Sequence, residues 1–147
     1  PYIMDFNARL NLAKCFDAGT GNSKMIKSEL QKMLKDSKNS MFLDQIYYTM
    51  AEISLKEKDT AEALKMYQYS SANATEKSLQ KGPALLAIAD IYYVQLKYTD
   101  AQIYYDSASQ YISEKHERYN SIEEKKIGFV NEFHSLEKLI PKILIEV

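Results

Sequence analysis

The stretch DQIYYTMAEISLKEKDTAEALKMYQYSSANAT, residues 44–75, is answered 38 positions later by GPALLAIADIYYVQLKYTDAQIYYDSASQYIS, residues 82–113. Aligned, Met50-Ala51 falls on Ile88-Ala89, Ser54 on Tyr92, Ala63 on Ala101, Tyr67 on Tyr105 and Ser70 on Ala108. Small residues recurring at fixed places between large ones, at one period, mark a helical repeat array. Tyr47, Met50, Ala51 and Ser54 stand at i, i+3, i+4 and i+7, one stripe of an α-helix, and Ala63, Tyr67 and Ser70 form a stripe on a second. Antiparallel helices joined by a short turn approach closely only where a side chain is small. Ala51 and Ala63, then Ala89 and Ala101, are therefore expected at the helix contacts, with Tyr67, Tyr92 and Tyr105 filling the space between successive pairs. The fold class read from this is all-α: an α-α superhelix of about three helix-turn-helix repeats plus a C-terminal capping helix.

Working outward, residues 1–38 read as a degenerate copy, ahead of repeats at 39–75 and 76–113. Leu12-Ala13 precedes Met50-Ala51 by 38, and Ile26, Leu30 and Met33 precede Ala63, Tyr67 and Ser70 by 37. Ile26 in place of a small residue predicts a looser helix pair. Gly19 and Gly21 are expected to stop the first helix, with Asn22 or Ser23 capping the second. Asn39-Ser40 can cap the next helix, and Asp59 with Glu62 and Thr99 with Gln102 resemble capping boxes. Pro83 suits a first helical turn. After the polar run EKHERYN, Ser121 and Glu124 are expected to open a capping helix over 120–140. Its predicted apolar face is Ile122, Ile127, Val130, Phe133, Leu136 and Ile140, and it should end near Pro141.

Composition narrows the class. Of 147 residues 46% are hydrophobic, and only four Gly and three Pro are available to interrupt helices. Nineteen basic against twenty acidic residues give a net charge of −1, so nothing draws the chain generally to nucleic acid or an anionic membrane. No apolar run approaches the roughly 18 residues of a membrane span. A single cysteine, Cys15, excludes an internal disulfide and reads as a small buried hydrophobe. The start at Pro1 and the apolar end PKILIEV read as a piece of a longer protein. His116 and His134 have no companion at metal-ligand spacing, and no phosphate loop, Gly-x-Ser-x-Gly or His-Glu-x-x-His occurs. Glu52 and Asp90 are equivalent positions one repeat apart, too distant to share a proton. The expectation is no catalytic residue, no cofactor and no metal.

Tyr47, Met50-Ala51 or Ile88-Ala89, and then Ala63 or Ala101 with Tyr67 or Tyr105, resemble the tetratricopeptide (TPR) pattern. The period of 38 is four residues longer than the usual 34. Tyr47 or Leu85 replaces the opening Trp, Ser54 replaces one Tyr, and Thr75 or Ser113 replaces the terminal Pro. In that family the first helices line a concave groove. The resemblance therefore implies groove residues Tyr48, Glu52 and Leu55, then Leu86, Asp90 and Tyr93, with Leu10, Lys14 and Asp17 in the degenerate copy. Such a groove binds a protein or peptide, or is filled by neighbouring parts of the same protein. This one lacks the Lys/Asn/Arg set that clamps a C-terminal carboxylate. Tyr47, Tyr67, Tyr92, Tyr98 and Tyr105 are expected to pack in the core.

Residues 40–126, through Asp44 to Tyr48, Ala89 to Tyr92 and Ala101 to Ser107, further resemble the TPR region of PorW/SprE-type lipoproteins of Bacteroidetes. That resemblance implies a scaffold of gliding motility and type IX secretion at the periplasmic face of the outer membrane. Two alternatives stand beside it. One is a TPR adaptor or sensor arm of a cytoplasmic regulator. The other is an enzyme whose catalytic groups lie outside these residues.

Overall fold

A computed structural model describes residues 1–16, 19 and 21–145, with the side chains at 130, 133, 134, 136–138 and 140–145 outside the description. Seven α-helices and no strand occur among the described residues: α1 (Tyr2–Lys14), α2 (Ser23–Lys35), α3 (Leu43–Lys56), α4 (Thr60–Asn73), α5 (Lys81–Val94), α6 (Tyr98–Ser109) and α7 (Tyr119–Ile145). The strongest packing is within the pairs α3/α4 and α5/α6, followed by α4 on α5 and α6 on α7. This is an α-α repeat arrangement.

The sequence repeat is reproduced atom for atom in the turns inside the pairs. Lys58 and Leu96, 38 residues apart, both take the left-handed backbone conformation, with φ of 63° and 62°. Asp59 N–H then donates to the Ser54 carbonyl at 2.9 Å, and Lys97 N–H to the Tyr92 carbonyl at 2.9 Å. These bonds reach back five residues and satisfy carbonyls that the helix end leaves unpaired. They also reverse the chain within a few residues, so each second helix returns along the first. Asp59 caps α4 through a bond from Glu62 N–H at 3.1 Å. The cap expected at Thr99 does not form: the N-cap place, 38 residues after Asp59, is held by Lys97, and Thr99 lies inside α6.

The small residues sit where close approach demands them: Ala51, Ala63, Ala89 and Ala101 are all 0% exposed. Tyr67 and Tyr105 are buried beside them. Tyr47 and Tyr92 are half-buried and lean on Tyr69 and Tyr104. Tyr98 departs from expectation: it is exposed at the start of α6, against Tyr93. Helix α5 is apolar almost all round and serves two clusters. Ala84, Ile88 and Ile91 face the core shared with α1 to α4, while Leu85, Leu86 and Ala89 face α6 and α7. Gly82 lets α5 begin against the end of α6, since a Cβ there would stand 3.0 Å from the Tyr111 carbonyl oxygen.

At the N-terminus the pair α1/α2 is loose, as Ile26 predicts. Both helices pack more on α3 than on each other. An apolar cleft of about 290 Å³ opens between them, lined by Leu12, Met25 and Ile26 among others. Gly21 has φ of 72° and Asn22 occupies the N-cap place without a side-chain bond. Asn39 serves the preceding helix instead of the following one: its buried amide donates to the Met33 carbonyl at 2.8 Å. Helix α3 starts after Phe42 with no side-chain cap. Cys15 is exposed, because α1 ends there and Phe16 takes the buried place.

The last helix differs most from its sequence reading. It begins at Tyr119, so Ser121 lies inside it, and it continues past Pro141 to Ile145. A proline removes one backbone donor but keeps a helical φ. Ile122 is buried, but Ile127 is 60% exposed and Phe129 takes the inward place. Val130, Phe133, His134, Leu136 and Ile140 lie outside the described side chains.

Two substitutions separate turn from contact. Leu96→Gly relieves a left-handed conformation at a 71% exposed side chain. It is expected to leave stability unchanged or raise it by up to about 1 kcal/mol. Ala101→Arg forces a long charged side chain into a fully buried contact and should lower stability by about 3 kcal/mol or more. Urea unfolding of both variants checks the pair.

Candidate protein-interaction face

The residues expected to line a groove separate into three groups. Leu10 and Leu86 are core, at 3% and 6% exposed. Leu10 is buried because α1 lies on α3, and Leu86 because it belongs to the cluster that α6 and α7 close over α5. Lys14, Leu55 and Tyr93 are exposed. Tyr48, Glu52 and Asp90 are half-buried. Asp17 lies outside the described residues.

Around Asp90 the face is filled from within the chain. Arg118, just before α7, grips the carboxylate with two bonds, Nη1 to Oδ2 at 2.7 Å and Nη2 to Oδ1 at 3.0 Å. Tyr105 Oη donates to Asp90 Oδ1 at 2.7 Å and accepts from Lys125 Nζ at 3.0 Å. The Lys125 ammonium lies over the rings of Tyr93 and Tyr105, 4.6 and 5.0 Å from their centroids. Phe129 completes the seal against Tyr93 and, stacked, against Tyr105, each at 6.1 Å. Burial pushes the Asp90 carboxyl up, but the bonds from Arg118 and Tyr105 and the charges of Arg118 and Lys125 outweigh it and hold it below the usual range. Burial, with the bond to Asp90, raises the Tyr105 hydroxyl, which stays protonated and donating.

One repeat earlier the same positions are open. Glu52 makes no hydrogen bond or ion pair among the described residues, and burial raises its carboxyl against the weaker opposing pull of Lys14 and Lys56. Lys56 is engaged elsewhere, donating to the Lys14 and Phe16 carbonyls at 3.1 Å each. Tyr48 stands edge-on to Tyr67, ring centroids 5.4 Å apart. Burial, with the nearby Glu52 charge, pushes the Tyr48 hydroxyl up to about 12.

Arg118, Lys125 and Phe129 carried no local signal in the sequence. The run around Arg118 reads as a polar linker, and Lys125 reads as the solvent side of an amphipathic helix. Only the expected capping helix over 120–140 hinted that the last pair would be covered. His116 is exposed in its loop, where Nδ1 accepts from Arg118 N–H at 3.1 Å. Among the described residues no three His, Cys, Asp or Glu side chains gather to hold a metal, and no helix is long and apolar enough to cross a membrane. Compared with protein-family models and with curated proteins, the chain matches none.

The two carboxylates should respond to pH with opposite signs. The folded pKa of Asp90 is depressed, so its stabilisation is present above the unfolded value near ~4 and is lost as pH falls through the folded one. Asp90→Asn should lower stability at pH 7 by about 1–2 kcal/mol, after allowance for partial solvent screening, with the gap narrowing below about pH 4. The folded pKa of Glu52 is raised, so its charge destabilises the fold above that pKa and ceases to do so as pH falls through it. Glu52→Gln should therefore raise the unfolding midpoint at pH 7 and converge with the parent near pH ~4. Urea unfolding from pH 3 to 8 checks both signs.

Proposed function

We propose that this chain is a non-catalytic protein-interaction scaffold of tetratricopeptide type. The observation that carries the reading is the contrast between two equivalent sections of one face. The section at Asp90 is filled by a helix of the same chain, and the section at Tyr48 and Glu52 presents half-buried polar groups with no hydrogen bond or ion pair among the described residues. Half-buried aromatic and charged groups on a rigid helical array suit recognition of a polypeptide, because the array fixes their positions before binding. The 38-residue repeat and the paired left-handed turns at Lys58 and Leu96 support the repeat assignment.

The resemblance of residues 40–126 to the PorW/SprE-type lipoproteins supports a finer proposal: a scaffold segment of an envelope secretion or gliding assembly, facing the periplasm. The alternative is a cytoplasmic adaptor or sensor arm.

In-cell photo-crosslinking from Tyr48 and Leu55, with Ile103 on α6 as a control position, tests the proposal. Tyr48 and Leu55 should capture a defined protein that Ile103 does not. Outer-membrane or secretion components among the captured proteins would support the envelope assignment, and cytosolic proteins would favour the adaptor. Capture of nothing beyond the chain itself from either groove position would overturn the scaffold reading.

A further inference from the structure

Two successive repeats carry the same pair of groups, a carboxylate on the first helix and a tyrosine on the second. They are Glu52 with Tyr67 and, 38 residues on, Asp90 with Tyr105. The second pair is occupied. Arg118 and Lys125 satisfy Asp90 and Tyr105 by charge-assisted hydrogen bonds, and Lys125 rests on the tyrosine faces.

Among the described residues the first pair has no such occupant. Helix α5 stands next to it as α7 stands next to the second pair. The residues 38 before Arg118 and Lys125 are Gln80 and Ala87, and neither is a cation. Tyr67 is 3% exposed, yet its hydroxyl makes no hydrogen bond among the described residues. No buried side-chain nitrogen or oxygen among those residues lacks a partner, so the Tyr67 oxygen meets solvent at the tip of an otherwise buried side chain. Tyr67 packs edge-on against Tyr48 and feels the charges of Glu52 on its own repeat and of Asp90 on the next. The Tyr67 hydroxyl and the half-buried Glu52 carboxylate, without a protein partner among the described residues, are left to water that a charged side chain can displace.

We propose that Glu52 and Tyr67, with Tyr48 as an aromatic wall, form a socket for a lysine or arginine side chain of a bound protein segment. The carboxylate and tyrosine of the socket repeat between molecules the contact that Arg118 and Lys125 make within this one; the wall differs, since the residue 38 before Tyr93 is Leu55 and Tyr48 takes its place. This inference rests on the protein-binding reading above. The carboxylate supplies the charge, the Tyr67 oxygen accepts as Tyr105 does from Lys125, and the Tyr48 face receives the cation. The chain's own nearest lysines leave the place open: Lys56 is held by backbone carbonyls, and Lys14 is exposed without an ion pair to Glu52.

Selection of displayed random 12-residue peptides on the whole 147-residue chain tests the socket. Peptides selected on the parent chain should share one Arg or Lys position. Replacing that residue by citrulline, a neutral isostere of Arg, or making Glu52→Gln should weaken a representative peptide by about tenfold. Tyr67→Phe, which removes only the unpaired hydroxyl, should weaken it by about threefold. Urea unfolding of each variant, unchanged or shifted up, shows that the fold is intact. Selected peptides without a basic position, or equal binding to Glu52→Gln, would overturn the socket and leave the scaffold reading standing. No peptide selected above background would overturn both.

Discussion

Close approach of helix backbones at four alanines is the constraint on which the rest of this structure depends. Ala51 and Ala63, and again Ala89 and Ala101, are wholly buried inside the two tightest helix pairs. A methyl group at these places lets the large neighbours interlock: Ile53, Ile88, Tyr67 and Tyr105 fill the volume on either side. Interiors pack at crystal-like density, so a larger side chain at any of the four would displace its neighbours. The same pairs require a short reversal, and both copies use a non-glycine residue in a left-handed conformation to make it. That strain, on the order of 1–2 kcal/mol per residue, is outweighed by the packing it permits.

Helix α5 then joins the repeats into one body. Its first set of buried residues belongs to the core of α1 to α4, and its second to the core of α6 and α7. A helix buried on both sides loses the one-sided stripe of a surface helix and reads as apolar almost all round. Nearest-neighbour packing of this kind makes each interface depend on the pair beside it. The ends show the consequence. Where Ile26 replaces the small residue, the first pair opens into an apolar cleft, and α7 covers the last pair with Ile122 and Phe129.

The polar groups on the first helices gain their meaning from what lies next to them. Asp90 and Glu52 are equivalent in sequence, yet their carboxyls move in opposite directions from the ordinary range. Partial burial raises both, and only Asp90 receives the compensating bonds from Arg118 and Tyr105. An ion pair completed by one neighbour and withheld by the other turns two similar repeats into a closed section and an open one.

By itself the sequence determined the helical architecture, the number of pairs and the residues of closest approach. Those properties depend on local periodicity and side-chain size, which repeat visibly at 38 residues. It also marked Asp59 as a cap and Ile26 as a loose contact, since both depend on a few neighbouring residues. Only the tertiary structure decided which first-helix residues stay open. Leu86 is the equivalent of Tyr48, and it is buried because the following elements close over it. Arg118 lies 28 residues beyond Asp90 in a run that reads as solvated, and its bidentate grip comes from the path by which α7 returns over α5. Exposure and ion pairing depend on which surfaces meet, and no periodicity along the chain records that.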